Sequence, residues 1–315
     1  MGIDATKISV VVPVYNNEQS LPTLHQRFAD VAARISQSEF EFLFVDDGSK
    51  DNSFGVLKTL AASDPRVKVL RLVRNFGSNA AILAGLTYAK GDCTAMITAD
   101  LQDPPELIVD MIERWKAGAK VVLAARTERR DPFWTRISGD VFNWLFKRLV
   151  FPNFPSKGFD FWLADREVID NLIKTAGTNT YVMGLLLWLG YPIETITYTR
   201  GDRLFGKSQW TLGKKVKYFL DAFVAFSYLP LRLASVIGIA LAILGFLYAA
   251  FVIVAKIVYG FPAEGWTSLM VVVLIVSGTQ LVMLGVLGEY VWRNLDESRR
   301  RPIFLVGEAV GIQTE

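Results

Sequence analysis

The chain has 315 residues, enough for one large domain or two modest ones. Hydrophobic residues make up 51% of it and charged residues 21%, with a mean hydropathy of +0.30, so it is neither an ordinary soluble protein nor wholly apolar. A net charge of +3 is too mild to argue for nucleic acid. The lone cysteine, Cys93, excludes an internal disulfide framework, and the lone histidine, His25, excludes two-histidine metal sites. Any catalysis must rest on carboxylates, arginines and backbone amides.

From the start, short apolar β-branched runs alternate with helical patterns. Ile8–Val14 precedes a helix over about Gln19–Ser36, and Glu41–Asp46 precedes Asp51–Ser63. Val67–Leu72 leads to Ser78–Ala89, Thr94–Ala99 leads to Pro104–Ala117, and Lys120–Ala125 follows. Nearly continuous apolar strands predict an α/β fold, a mostly parallel sheet covered by helices on both faces. Ligands then bind beyond the carboxyl ends of the strands.

Those ends are polar: Pro13-Val14-Tyr15-Asn16-Asn17-Glu18, Asp46-Asp47-Gly48-Ser49, Arg74-Asn75-Phe76-Gly77, Asp100-Leu101-Gln102-Asp103 and Arg126. No G-x-G-x-x-G and no G-x-x-x-x-G-K-[ST] follows any strand, which removes the main support for dinucleotide and P-loop readings. Asp100 with Gln102 can hold one hard divalent cation whose shell is completed by substrate phosphates. Asp46 or Asp47 can accept from a base N–H and ribose hydroxyls, and Arg126 can grip a diphosphate with its planar fork. Turn and capping chemistry explains each motif singly; their recurrence at successive strand ends it does not explain.

Further along, Phe133–Val150 combines large apolar residues with Arg136, Lys147 and Arg148, which suits either a membrane surface or the domain core. Residues 211–231 predict an amphipathic juxtamembrane helix with Lys214, Lys215 and Lys217 off its apolar face. Leu233–Ala255 and Trp266–Gly288 carry no charge and exceed the ~20 residues that cross a bilayer as a helix. Basic flanks outside the pair place both termini in the cytoplasm, and the polar Met1–Lys7 predicts no signal peptide. The expected organisation is a cytosolic catalytic domain over 1–210, the surface helix, two transmembrane helices within 232–292 and a cytosolic tail over 293–315.

VVPVYNN, FVDDGSKD, RNFGSNAAILAGL and ADLQDPPE, in this order, resemble the family-2 glycosyltransferases of GT-A fold. GFDFWLADREVID, the R-x-x-R-x-x-G-x-S segment from Arg200 to Ser208 and the paired spans extend the likeness over nearly the whole chain. The subgroup it resembles most is the dolichyl-phosphate-mannose-synthase-like polyprenyl-phosphate transferases, among them bactoprenol glucosyltransferases of the GtrB type. The resemblance implies inverting transfer of a hexose, glucose first, from a UDP-sugar to undecaprenyl or another polyprenyl phosphate at the cytosolic face of the plasma (inner) membrane. Pro13, Tyr15, Asp46, Asp47 and Asn75 would then serve the nucleotide, and Asp100 and Gln102 would hold Mg²⁺ or Mn²⁺. Arg126 would meet the donor phosphates, and Asp160 would stand beside the reacting centre as base, orienter or arginine partner. Arg200, Arg203, Lys207 and Ser208 would hold the acceptor phosphate.

Three positions depart from the family pattern. The acid after the Y-N pair is shifted to Glu18, Thr98 replaces the first acid of the metal motif, and Gln209 stands where relatives often have lysine. Alternatives are a hydroxyl-acceptor transferase, a polysaccharide synthase and an inactive lipid-binding subunit. The synthase reading wants a Q-x-x-R-W element that Ser208-Gln209-Trp210 does not supply. Homo-oligomerisation through Phe142–Phe151 is also an expectation; a nucleic-acid partner is not.

Overall fold

A computed structural model describes residues 6–35, 37–127, 158–201, 226–259 and 265–312, with 147, 148 and 155. The chain divides into two compact units, Met1–Ala222 with Pro302–Glu315, and Phe223–Arg301. In the first unit the predicted alternation holds through β1 (Thr6–Val14), α1 (Leu21–Arg34), β2 (Ser38–Asp46), α2 (Ser53–Ser63), β3 (Val67–Leu72), α3 (Ser78–Tyr88), β4 (Cys93–Met96), α4 (Leu107–Lys116) and β5 (Val121–Arg126). Then come β6 (Phe161–Asp165), α5 (Arg166–Thr175), α6 (Val182–Trp188) and β7 (Ile193–Tyr198), and far along the chain β8 (Val306–Val310).

The eight strands form one sheet in the order β7-β5-β6-β4-β1-β2-β3-β8. β1 pairs in parallel with β2 and β4, β2 with β3, and β5 with β7. β6 runs antiparallel between β4 and β5, and β8 runs antiparallel on the outer edge of β3. Every residue of β4 and β5 is buried, as a sheet covered on both faces requires. One face packs on Leu21, Leu24, Phe28 and Val31 of α1, where the Phe28 ring stacks on Phe42 of β2 at 5.3 Å between centroids. On the other, α3 crosses β1 so closely that a Cβ on Gly85 would stand 2.3 Å from Val11 Cγ1.

This topology gathers the polar motifs. β1 to β5 and β7 all run the same way and end on one edge of the sheet. β6 runs against them, so it begins on that edge, and Asp160 just before it meets the residues that end β4, β5 and β7. A purely parallel sheet would have carried Asp160 to the opposite edge.

The second unit contains α7 (Leu229–Tyr259) and α8 (Trp266–Ser298). Leu229–Val258 and Ser268–Ser298 are long and apolar enough to cross a membrane. Their large apolar side chains point outward, Phe246 being 81% and Ile257 79% exposed, which a helix buried in a soluble core would not allow. A Cβ on Gly238 of α7 would lie 3.2 Å from Met283 Cε of α8, the close approach that a small residue permits. Most of the predicted surface helix over 211–231, most of Phe133–Val150 and the residues 260–264 between the two long helices lie outside the described residues.

Candidate active site

At the end of β1 the chain turns sharply, with Asn16 at φ 54°. The Asn16 N–H donates to Ser49 Oγ (2.9 Å), Lys50 N–H donates back to Asn16 Oδ1 (2.9 Å), and Asn17 N–H donates to Ser53 Oγ (2.8 Å). The shifted acid Glu18 accepts from Asn52 N–H at 2.9 Å, so in this structure it anchors the start of α2. These bonds clamp the first two strand ends together. Pro13 and Tyr15 are half-buried at the clamp.

Asp46 is fully buried; its Oδ1 accepts from Ser49 N–H (3.0 Å), and Arg71 Nε stands 3.4 Å from its Oδ2. Asp47 accepts from the Phe76 and Gly77 amides at 2.7 and 2.9 Å, tying the β2 turn to the loop after β3. Burial raises the Asp47 carboxyl to about 6, outweighing both amide bonds. Gly48 makes this junction possible: its φ is +66°, and a Cβ there would come within 2.7 Å of the Arg74 carbonyl carbon. Asn75 is exposed beside it.

Beyond β4 the chain makes a second strained turn, with Leu101 at φ 61°. Asp100 Oδ1 accepts from Thr98 Oγ1 (2.9 Å) and from Gln102 N–H (3.2 Å), which fixes that oxygen in the turn. The Gln102 side chain reaches the Gly201 carbonyl at 3.4 Å, while Gly201 N–H donates to the Gln102 carbonyl at 2.9 Å. The segment after β7 is thereby held on this turn.

Three carboxylates and two guanidinium groups meet there. Arg126, 7% exposed, donates to Asp160. Burial alone would lower its pKa, but Asp160 and Asp103 more than offset that and hold the charge. Arg200 Nη2 lies 3.8 Å from Asp100 Oδ2 and 3.9 Å from Asp160 Oδ2, and its Nε lies 3.5 Å from Asp103 Oδ1. Asp103 is enclosed, accepting from the Tyr198 hydroxyl and lying 3.1 Å from Thr98 Oγ1. Burial pushes its carboxyl above the usual range, against the pull of Arg200 and Arg126. Thr98 has one hydroxyl proton and so serves only one of its two carboxylate neighbours at a time.

The structure thus brings Asp100, Gln102, Arg126, Asp160 and Arg200 into one cluster, with Pro13, Tyr15, Asp46, Asp47 and Asn75 at the neighbouring strand ends. Arg203, Lys207 and Ser208 lie outside the described residues. Asp103 and Tyr198 join the cluster without having been singled out from sequence. Asp103 lies in the D-P-P-E stretch after β4, and Tyr198 in a segment to which the sequence pattern assigns no element; the register opposing Arg126 to Tyr198 brings the tyrosine to this edge. Among the described residues no three His, Cys, Asp or Glu side chains could hold a metal by themselves. A hard cation that relies on substrate oxygens still suits the Asp100–Gln102 donor set.

Comparison with known proteins agrees with this geometry. Residues 9–173 match the family described as Glycosyl transferase family 2. The chain is 41% identical over 308 residues to a Bacillus subtilis (strain 168) protein, the uncharacterized glycosyltransferase YkcC, covering 98% of this chain and 95% of that one. It is 38% identical over 301 residues to the bactoprenol glucosyl transferase of Shigella phage SfV, covering 95% and 98%. A solved structure of glucosyl-3-phosphoglycerate synthase from Mycobacterium tuberculosis, in complex with Mn²⁺ and UDP-glucose, shares the fold with a TM-score of 0.51 at 19% identity, over 70% of this chain and 78% of that one. A family match over half the chain, together with relatives aligned almost end to end, makes this protein a glycosyltransferase, a member of glycosyl transferase family 2.

Proposed function

We propose that the protein transfers a hexose, glucose, from a UDP-sugar to undecaprenyl or another polyprenyl phosphate, with inversion and with Mg²⁺ or Mn²⁺. The observation that carries the reading is the acid–arginine cluster on the strand-end edge of a chain that also has two membrane-length apolar helices. Near-full-length likeness to a bactoprenol glucosyl transferase supports the lipid acceptor and the glucose.

In this reading an oxygen of the lipid phosphate attacks the anomeric carbon as that carbon's bond to the UDP oxygen breaks, and UDP departs with the electron pair. The acceptor, with a second pKa near ~6, is largely a dianion at neutral pH and needs little help from a base. The residues therefore serve mainly to handle charge. Arg126, locked by Asp160, presents a fixed guanidinium to the donor phosphates. Asp160 acts through that arginine and borders the reacting centre. Asp47, Tyr15, Pro13 and Asn75 line the nucleotide side, with Asp46 bracing their turn. Asp100 and Gln102 would hold the divalent cation, which supplies Lewis-acid neutralisation of the departing diphosphate. Arg200, with Arg203, Lys207 and Ser208, would bring the acceptor anion into line despite its repulsion from the donor.

Membrane anchoring would hold this edge where lipid phosphate is concentrated. β8 belongs to the same sheet as β1 to β7 yet follows both long helices in the chain. The basic residues flanking the pair of long helices support a cytoplasmic location for both of its ends.

The test is release of UDP from UDP-glucose by the purified full-length protein. It should require both undecaprenyl phosphate and a divalent cation, and Asp100→Ala should abolish it while the protein stays folded. Full activity in excess EDTA, or in Asp100→Ala, overturns the reading.

A further inference from the structure

Arg200 and Arg126 share a cluster but are held in different ways. Arg126 is closed in and hydrogen-bonded to Asp160. Arg200 stands between three carboxylates at 3.5, 3.8 and 3.9 Å, all longer than a hydrogen bond, and its buried Nε, like that of Arg126, has no hydrogen-bond partner among the described residues. The backbone tie of Gly201 to the Gln102 carbonyl holds its root, and charge holds its guanidinium. Such a cation fills a hole in potential without fitting it, and a small divalent ion would fill the same hole better. The oxygen of Asp100 nearest Arg200 is Oδ2; its Oδ1 is the one fixed by Thr98 and Gln102. The ligand oxygen that a divalent ion needs and the oxygen that Arg200 covers are therefore the same atom.

We infer that Arg200 is an internal counter-ion to Asp100, Asp103 and Asp160, and that it gives up Asp100 when a divalent cation arrives with the donor. This rests on the reading of Asp100 and Gln102 as the cation site. The exchange limits the change in charge: a divalent cation takes the place beside Asp100 and brings the anionic diphosphate with it. The displaced guanidinium remains rooted at the same turn, since Gly201 stays bonded to the Gln102 carbonyl, and the anion it can then meet is phosphate. Asp103, enclosed and bonded to Tyr198, is the fixed post on which Arg200 pivots. The consequence is an ordered site: the cation binds weakly alone and better with nucleotide, whose phosphates give the displaced Arg200 an anion to meet.

The experiment measures Mn²⁺ binding to full-length protein in detergent, from the free-Mn²⁺ paramagnetic resonance signal, with and without UDP. Arg200→Gln, which removes the competing charge, should bind Mn²⁺ on the order of ten-fold more tightly than wild type without UDP. The improvement that UDP confers should shrink in that variant. Arg200→Lys, which keeps a positive charge, should stay near wild type without UDP, and thermal melting checks that both variants fold. Equal or weaker binding by Arg200→Gln without UDP overturns the counter-ion role and leaves metal-dependent transfer standing. Absence of Mn²⁺ binding in every protein, with and without UDP, overturns both.

Discussion

Arg126 donates a hydrogen bond to Asp160, a partner 34 residues later, because the strand that follows Asp160 runs against the strand that ends at Arg126. Ala124 pairs with Phe161, so the two charged residues extend past the last rung of the ladder on the same edge. A planar guanidinium can hold Asp160 with one side and a phosphate with another; an ammonium cannot do both in this geometry. Arg126→Lys is therefore expected to lower kcat/KM for UDP-glucose roughly 100-fold, within the range for losing one fixed donor to developing charge. UDP release measures it, and a variant within two-fold of wild type would remove Arg126 from the phosphate site.

The first five strands are legible in the sequence because strands buried on both faces read as nearly continuous apolar runs, interrupted in β2 by Glu41 and in β3 by Lys68 and Arg71. β6 is not: Phe161–Asp165 has that character, yet nothing local says that it inserts backwards between β4 and β5. β8, with Val306, Gly307, Glu308, Ala309 and Val310, has neither a continuous nor an alternating pattern, and its partner β3 lies more than 230 residues earlier. The site divides the same way. Asp47, Asp100 and Arg126 follow strands that are themselves readable, so they can be found from position alone. Tyr198 reaches the edge where Asp103 lies only through the β5–β7 pairing, which no short motif encodes.

The Tyr198 hydroxyl and Thr98 are what hold Asp103 in place beneath Arg200. Tyr198→Phe keeps the ring and deletes a donor to a buried carboxylate, so it should cost about 1–3 kcal/mol of stability. Denaturant melting of the catalytic unit's signal in the full-length protein checks the magnitude. Its effect on turnover should be smaller than that of Arg126→Lys, because the hydroxyl touches no reacting group.

Asp47 makes nucleotide binding sensitive to mild acid. Its carboxyl is raised to about 6, chiefly by burial, so protonation begins near neutrality. A protonated carboxyl loses acceptor capacity toward base or ribose, and KM for UDP-glucose should rise as pH falls through about 6. The stability sign is opposite: with a folded pKa above the unfolded one, this group favours folding most below the ordinary Asp range, and that contribution is lost as pH rises through about 6. A KM flat between pH 5 and 7 would separate Asp47 from the nucleotide.

Glu41 behaves in the reverse sense at the other end of the sheet. Burial would raise its pKa, but Lys68, the Ser9 hydroxyl at 2.5 Å and the Lys90 amide at 2.6 Å together hold it below the ordinary Glu value. Its stabilisation is present above the unfolded-state pKa and lost as pH falls through the folded one. Glu41→Gln strands Lys68 against a neutral partner and should cost about 3–5 kcal/mol. It should also flatten the acid limb of the stability profile, measured as melting temperature from pH 3 to 7.

The last strand ties residues beyond the long helices into the catalytic sheet, and its loss should be costly. β8 covers the outer edge of β3 from Val69 to Leu72, and Val73 N–H donates to the Leu305 carbonyl at 3.0 Å. Lys58 of α2 and Glu308 form an ion pair at 2.5 Å, but both side chains are nearly half exposed, so the pair contributes at most about 1 kcal/mol. The backbone ladder and the covered edge matter more. A chain ending at Arg301 should melt roughly 5–10 °C lower. It should also self-associate through the bared strand, since an uncovered edge offers its amides and carbonyls to another chain. Glu308→Gln, which removes the ion pair without setting a like charge beside Lys58, should shift melting by no more than about 3 °C. If the two variants melt alike, side-chain charge rather than strand pairing secures this edge, and size-exclusion chromatography should then show the shortened chain unchanged in association.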